Sequence, residues 1–182
     1  MKIAVISGTL VGSKPAVLAN QAIVQLKQKN IEFIYINFKD YELELCDGRP
    51  IDQYNQDTQE LIRLLHDVEG FIITTSILHG QIPGALKNFF DVLPMSIFEN
   101  KVMSFMASAG NEKHYLAIEH SLRPLSSYLK AISIPEYVFS VSGDFNKSSE
   151  IINQNIINEI EFLVDKVIHT ASLYKPLDTT RR

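Results

Sequence analysis

Three loops in this sequence combine glycine with small polar residues, a composition that lets a backbone approach a bound anion or a flat polar ring. They are residues 7–14, 76–81 and 108–111. None of them contains a carboxylate pair, or a serine, histidine and aspartate arranged for nucleophilic catalysis. The loops are therefore suited to binding a ligand through backbone amides and hydroxyls, and they contain neither of these two catalytic arrangements.

The first loop lies between a predicted strand and a predicted helix, where free amides and the positive helix end attract an anion. The hydroxyls of Thr9 and Ser13 are suited to hydrogen bonds with a phosphate. Gly8 and Gly12 have the wrong spacing for the dinucleotide fingerprint, and the Gly-Lys-Ser/Thr sequence of a Walker loop is missing. A phosphate-binding loop and a plain glycine–serine turn before a capped helix both remain open at this point.

Three histidines invite a metal hypothesis, but they come from different parts of the chain. His79, His114 and His120 have no ligand-like spacing and no cysteine nearby. The single cysteine, Cys46, excludes an internal disulfide and any metal site built from several cysteines. We therefore predict no metal site and interpret the histidines as polar surface or helix residues.

Short apolar runs alternate with amphipathic stretches along the chain. Strands are predicted at about 2–6, 31–37, 70–75, 101–107 and 133–141. Helices are predicted at about 15–29, 56–68, 84–93, 112–131 and 148–173. Pro83 suits the opening of the third helix, whereas Pro124, inside the fourth, predicts a kink or an interrupted turn.

This alternation predicts the fold. Strands joined by helices form a parallel sheet with both faces covered, because parallel strands need crossover connections. We predict an α/β, flavodoxin-like three-layer sandwich, with a five-stranded parallel sheet of order 2-1-3-4-5. In that order the loops after the first, third and fourth strands meet at one edge of the sheet. These are the three polar loops, so we expect them to form one site.

The composition is that of an ordinary globular protein. With 182 residues, 46% of them hydrophobic and 21% charged, the chain is predicted to form a single domain over residues 1–174 and a frayed tail over 175–182. A net charge of -4 without a basic stripe argues against nucleic acid as a partner. No apolar stretch approaches the ~20 residues of a membrane span, and a lone cysteine is typical of a reducing compartment. We expect a cytoplasmic protein with no membrane partner.

One short segment carries the most specific resemblance to a known family. Residues 83–88, Pro-Gly-Ala-Leu-Lys-Asn, followed by Asp91, resemble the P-G-x-L-K-N-x-x-D segment of the NAD(P)H-dependent FMN reductase family. The sequences at 7–9 and 107–110 support the resemblance. A further ordered set is most similar to the branch that supplies reduced flavin to alkanesulfonate monooxygenases; it comprises residues 93–94, 100–102, 108–110, His114, Ala117 and 122–125.

The resemblance implies an enzyme, an NAD(P)H-dependent FMN reductase with the fold predicted above. It implies that FMN lies across the three loops, that NADPH or NADH stacks on the exposed ring face, and that hydride passes from the nicotinamide to the flavin. The cofactor-binding residues implied in this way are Gly8, Thr9, Ser13, Lys14, Ser76, Ile77, Leu78, His79, Gly80, Ser108, Ala109, Gly110 and Asn111.

The chain departs from the family pattern in the two loops nearest the flavin. Val11 stands near the place of an arginine, so phosphate binding is expected to be weaker or to be helped by Lys14 as a point charge. Ser76 and Leu78 stand where the family often has a proline and an aromatic residue. We expect the contact with the flavin ring to differ most from the family.

The resemblance also implies an electron acceptor, a protein partner and an oligomeric state. Reduced FMN would leave for a flavin-dependent monooxygenase, or would reduce a quinone or azo-type acceptor in place. A homodimer or homotetramer is expected, with the long fourth helix around His120 as the surface to test. Two other classes stay open, namely a flavodoxin-type electron carrier and an interaction protein of the same fold that has lost its flavin.

Overall fold

The structure is a computed structural model that describes residues 1–174. Its centre is a parallel sheet in which the strands follow the order β2-β1-β3-β4-β5, and β6 also pairs with β4. The predicted strand order is therefore confirmed. The strands are β1 (Lys2–Ser7), β2 (Glu32–Asn37), β3 (Gly70–Ser76), β4 (Val102–Ala109), β5 (Ile132–Ser133) and β6 (Val138–Val141).

Helices cover both faces of the sheet. They are α1 (Lys14–Gln28), α2 (Gln56–His66), α3 (Gly84–Val92), α4 (Arg123–Tyr128) and α5 (Gln154–Leu173). Side chains alternate along β1, so that Ile3 and Val5 pack with α1 and α5 while Ala4 and Ile6 pack with α2 and α3. All four are fully buried. A strand covered on both faces has to be apolar throughout, which explains why the strands are visible as continuous apolar runs.

The predicted fifth strand is divided into two pieces, β5 and β6. Both pair with β4, and the backbone N–H of Ile134 still donates to the carbonyl of Met103 at 2.9 Å. The next residue, Pro135, has no N–H to continue the ladder. Pairing resumes where Val138 lies opposite Met106. Within residues 1–174 the sheet therefore has six strands and not the five predicted.

The helical stretch predicted over about 112–131 is divided into three short pieces. A 3-10 turn at Glu112–Tyr115 and a π-helical turn at Ile118–Leu122 come before α4. Pro124 is among the first residues of α4, a position at which a helix tolerates a missing N–H. Because Pro124 has no N–H, it cannot donate to the carbonyl of His120, four residues earlier, and regular α-helical bonding is interrupted there. The expectation of an interrupted turn at Pro124 is confirmed.

The last helix begins at Gln154, and the predicted start near residue 148 is wrong. The side chain of Asn146 accepts hydrogen bonds from the backbone of Ser148 and Glu150, both at 2.9 Å, which holds this segment in a turn. Asn153 then caps α5 by accepting from the N–H of Asn155 at 3.0 Å. A local side-chain turn thus delays the helix.

The division into one domain at 1–174 and a tail at 175–182 stays a prediction, and the tail lies outside the described residues. Within residues 1–174, no helix has the length and apolar character that crossing a membrane requires.

Candidate functional site

A cleft lies at the edge of the sheet where the strands end. Ser7 is in register with Thr74, Ser76 with Ser108, and Ala109 with Val141, so the loops that follow these strands begin side by side. The cleft has a volume of about 270 Å³. Its lining consists of Val11, Gly12, Ser13, Lys14, Pro15, Ser76, Ile77, Leu78, Ser108, Ala109, Gly110 and Ser142. The structure thus brings the three polar loops together.

Gly8 and Thr9 hold the first loop in its conformation but do not line the cleft. The N–H of Gly8 donates to the carbonyl of Thr74 at 2.7 Å, which ties the loop to β3. The Thr9 side chain is buried, and its hydroxyl donates to the carbonyl of Val11 at 3.1 Å and accepts from the Val11 N–H at 3.2 Å. The Thr9 hydroxyl, which the sequence suggested for a phosphate, is therefore engaged within the loop itself.

The second loop fixes the position of the first. The hydroxyl of Thr74, on β3, donates to the carbonyl of Pro15 at 2.8 Å and is fully buried. The hydroxyl of Ser76 donates to the carbonyl of Val11 at 3.1 Å. Both bonds connect the end of β3 to the chain that enters α1, so the start of that helix is held at the cleft.

The start of α1 forms the electropositive end of the cleft. Ser13 is the N-cap residue, but its side chain accepts no bond from the helix, and the first turn contains no acidic residue. The amides of that turn are left for another acceptor. The ammonium of Lys14 donates to the hydroxyl of Ser142 at 2.8 Å and lies 5.3 Å from the centre of the Phe145 ring. This end of the cleft is suited to a phosphate.

The other end of the cleft is formed by the second and third loops. The N–H of Ile77 donates to the carbonyl of Ser108 at 3.0 Å, which holds the second and third loops together. Leu78 and Gln81 then exchange backbone hydrogen bonds around a tight turn. His79 and Gly80 occupy the tip of that turn, with φ of 51° and 76°, and His79 is exposed. These two residues stand beside the cleft and not in its lining.

Asn111 also stays outside the lining. Its side chain accepts from the N–H of Lys113 at 2.9 Å and caps the 3-10 turn after β4. Of the third loop, Ser108, Ala109 and Gly110 line the cleft. The predicted residue Asn111 therefore shapes the end of this loop.

The structure adds a fourth loop that the sequence reasoning missed. Ser142 directly follows β6 and lines the cleft, and Ser149 in the same connection has its hydroxyl 3.0 Å from that of Ser13. The signal was present, because a strand that ends at Val141 next to β4 delivers Ser142 to the same edge. Val11, Gly12 and Pro15 of the first loop were also missed.

The segment that carries the family resemblance, residues 83–88 with Asp91, contacts the connection between β2 and α2. The side chain of Asn88 accepts from the N–H of Cys46 and donates to the carbonyl of Glu44, both at 2.8 Å. Lys87 and Asp91 form an ion pair one helical turn apart on α3. Asn88 thus fixes the connection between β2 and α2 against α3, outside the cleft.

A second charged cluster stabilises the same connection. Arg49 donates from Nε to the carboxylate of Asp47 and lies 4.9 Å above the ring of Tyr54. The bonds from Arg49 hold the pKa of Asp47 well below its usual value. Among residues 1–174, no group of three or more histidine, cysteine or acidic residues is arranged to hold a metal ion.

Fold and cleft together define a class of protein. A doubly wound parallel sheet of this strand order, with a cleft at the carboxyl ends of its strands, is the architecture of a flavodoxin-like α/β protein. The model of the family described as NADPH-dependent FMN reductase matches residues 1–146. The chain therefore belongs to the NADPH-dependent FMN reductase family.

Two curated relatives agree with this assignment. The chain is 37% identical over 171 residues to an NAD(P)H-dependent FAD/FMN reductase of Geobacillus thermodenitrificans (strain NG80-2), a match that covers 93% of this chain and 92% of the relative. It is 30% identical over 161 residues to an FMN reductase (NADPH) of Pseudomonas aeruginosa, covering 86% and 82%. The predicted family, enzyme class and cofactors, FMN with NADPH or NADH, are confirmed at the level of the family.

A solved structure agrees with the fold. The apo form of the NADH:FMN oxidoreductase EMOB superimposes with a TM-score of 0.77 at 21% identity, and the match covers 100% of this chain and 94% of that one. Together with the observed strand order, this confirms the flavodoxin-like sandwich.

Proposed function

We propose that this protein transfers hydride from NADPH or NADH to FMN, and that the cleft at the strand ends holds the flavin. Two facts together support this most directly, namely membership of the family and the structure of the first turn of α1. That turn has no side-chain cap and no acidic residue, and its first residue, Lys14, lines the cleft.

The residues of the cleft fit FMN. The phosphate would lie against the amides of the first turn of α1, with Ser13 and Lys14 at its sides. The backbone of 76–78 and 108–110 would face the ring. A cleft of about 270 Å³ lies just below the lower end, roughly 300 Å³, of the range for small-molecule sites.

The protein contributes position and electrostatics in this proposal. When bound, FMN supplies the ring that accepts the hydride. The lining of the cleft contains no aspartate, glutamate, histidine, cysteine or tyrosine, so it offers no acid or base other than the ammonium of Lys14. The side chains therefore bind and orient the two nucleotides, which accelerates transfer by holding the reacting atoms close together.

Oxidation of NADPH and NADH by the purified protein, followed with and without added FMN, tests the proposal. We expect FMN to accelerate oxidation well above the rate without protein, and the same rate in both cases would contradict it. A visible-spectrum titration with FMN identifies the rivals. Tight flavin binding without nicotinamide oxidation would indicate an electron carrier, and no flavin binding would indicate an interaction protein.

For the fate of the reduced flavin, we propose that it serves a flavin-dependent monooxygenase or reduces a quinone or azo-type acceptor. The support is the resemblance of 122–125 and its neighbours to the branch that serves alkanesulfonate monooxygenases. Transfer through free solution predicts that oxygen, which oxidises free reduced flavin to flavin and hydrogen peroxide, lowers the yield of reduced flavin that reaches a partner, whereas reduction in place predicts turnover of a quinone without release of FMN. We also propose a cytoplasmic location, since one exposed cysteine is typical of a reducing compartment.

We further propose a homodimer or homotetramer formed through the interrupted helix around His120. Three large residues there, Tyr115, Leu116 and Tyr128, are exposed. A cavity of about 460 Å³ lies beside the π-helical turn and is lined by residues that include Ser121 and Leu125. Light scattering on the purified protein tests this, and a monomer at all concentrations would contradict it.

A further inference from the structure

Lys39 lies beside the first loop, next to the electropositive end of the cleft, and comes from a different part of the chain. It follows β2, whose last residue, Asn37, is in register with Ser7 at the end of β1. The neighbouring Phe38 is buried, with its ring centre 5.1 Å from that of Phe89. The backbone around Lys39 is therefore fixed to the core, next to the first loop.

The side chain of Lys39 contacts that loop directly. Its ammonium donates to the carbonyl of Gly12 at 2.7 Å. A carbonyl oxygen and the nitrogen of the same peptide bond are at most about 2.6 Å apart, so the ammonium lies within about 5 Å of the amide of Ser13. Ser13 is the N-cap residue of α1. In residues 1–174, the ion pairs do not involve Lys39, so its charge is not neutralised there.

We infer that Lys39 is a second cation of the phosphate site and makes the protein prefer FMN over riboflavin, the same flavin without a phosphate. The inference rests on the proposed function. Lys14 stands on one side of the helix start, at Ser142, and Lys39 stands on the other, at Gly12. The tip of the loop adds no charge, since it carries the exposed apolar residues Leu10 and Val11.

The expected size of the effect follows from the charges. A phosphate monoester carries about −1.5 to −2 at pH 7, and an ammonium several ångströms away attracts it through a partly aqueous medium. At physiological ionic strength the Debye length is about 8 Å, so part of this attraction persists. Loss of the Lys39 charge should weaken FMN binding about three- to tenfold. Riboflavin lacks the phosphate and should be unaffected.

The test compares the dissociation constants of FMN and riboflavin, measured by quenching of flavin fluorescence. Lys39→Gln keeps a donor for the Gly12 carbonyl and removes the charge, while Lys39→Arg keeps both. We expect the glutamine variant to bind FMN about three- to tenfold more weakly and riboflavin normally, and the arginine variant to behave like the parent protein. At 1 M salt, where the Debye length is about 3 Å, the difference should largely disappear.

The matched control is Lys27→Gln, which removes the same charge from the last turn of α1. Lys27 lies about 20 Å along the helix from Lys14, beyond the range of the phosphate, and the FMN preference should stay unchanged. Thermal melting verifies that every variant is folded, which the exposed position of Lys39 favours.

Two results would overturn the inference while leaving the proposed function intact. One is unchanged FMN binding in Lys39→Gln. The other is an equal loss for FMN and riboflavin, which would mean that Lys39 only holds the loop through Gly12. If the parent protein binds neither flavin, the proposed function itself fails and the inference fails with it.

Discussion

Leu86 packs against Gly8 so closely that a β-carbon added to residue 8 would lie 2.7 Å from the Cδ1 atom of Leu86. Leu86 belongs to α3 and is fully buried, and Gly8 begins the first loop of the cleft. The contact therefore couples the helix that carries the family resemblance to the loop proposed to hold the phosphate.

Replacement of Gly8 by alanine should destabilise the protein by about 1–3 kcal/mol, because a buried leucine can yield only by moving its neighbours. For a chain of this size, Tm should fall by about 2–4 °C for each kcal/mol. Gly84→Ala is the control, since a β-carbon there meets nothing within 4 Å. Equal melting temperatures for Gly8→Ala and the parent protein would show that the contact relaxes without cost.

Asn88 and its neighbour Lys87 should differ in importance although both belong to the same motif. Asn88→Ala leaves the backbone groups of Cys46 and Glu44 without their partner and should cost about 1–2 kcal/mol. Lys87→Ala breaks an exposed ion pair with Asp91 and should cost at most about 0.5 kcal/mol. Urea denaturation of both variants measures the difference. A larger loss for Lys87→Ala would contradict this account.

Ser142 should control how well Lys14 can serve a phosphate. In Ser142→Asp, a carboxylate beside the Lys14 ammonium would neutralise it and repel an anion, so FMN affinity should fall about tenfold at low salt. Riboflavin affinity should change little. Ser172→Asp serves as the control, because it adds the same charge in the last turn of α5, at a residue that does not line the cleft. The account fails if both aspartate variants bind FMN equally well.

Tyr41 should contribute to the loss of stability at alkaline pH. Burial, followed by the charges of Glu60, Asp40 and Asp57, raises the pKa of Tyr41. The folded protein therefore keeps this proton to a higher pH than the unfolded chain does. The resulting stabilisation is complete below pH ~10, the pKa of an unfolded tyrosine, and is lost as the pH rises through the folded pKa.

Tyr41→Phe removes this titration, so its free energy of unfolding should fall less steeply above pH ~10 than that of the parent protein. Denaturant titrations at several pH values from 8 to 11 measure the slope. Tyr128→Phe is the matched control, because Tyr128 is 73% exposed. Identical slopes for Tyr41→Phe and the parent protein would refute the prediction.

Some features of this protein could be predicted because they depend on neighbours in the sequence. Residues 3–6 and 71–73, within the strands predicted at 2–6 and 70–75, are apolar throughout, since each residue of a doubly covered strand is buried on one face or the other. Alternation of such strands with amphipathic helices was enough to predict the layers and the strand order. The motif at 83–88 then indicated the family.

Other features depended on hydrogen bonds that a local pattern does not specify. The helix expected at residue 148 starts at Gln154, because the Asn146 side chain offers the backbone another partner. The hydroxyl of Thr9 has the right type for a phosphate, yet it bonds to Val11 within its own loop. In both cases a polar side chain had several possible partners, and only the folded backbone selected one.

The sequence by itself thus determined the fold, the family and the three loops that meet in one cleft. The tertiary structure alone decided which residues lie around the electropositive end of the cleft, because Lys39 contacts Gly12 and Ser142 contacts Lys14 from distant segments. Their positions follow from the register of β2 with β1 and of β6 with β4. This pairing joins segments that are far apart in the sequence, so these side chains meet the first loop only when the sheet has formed.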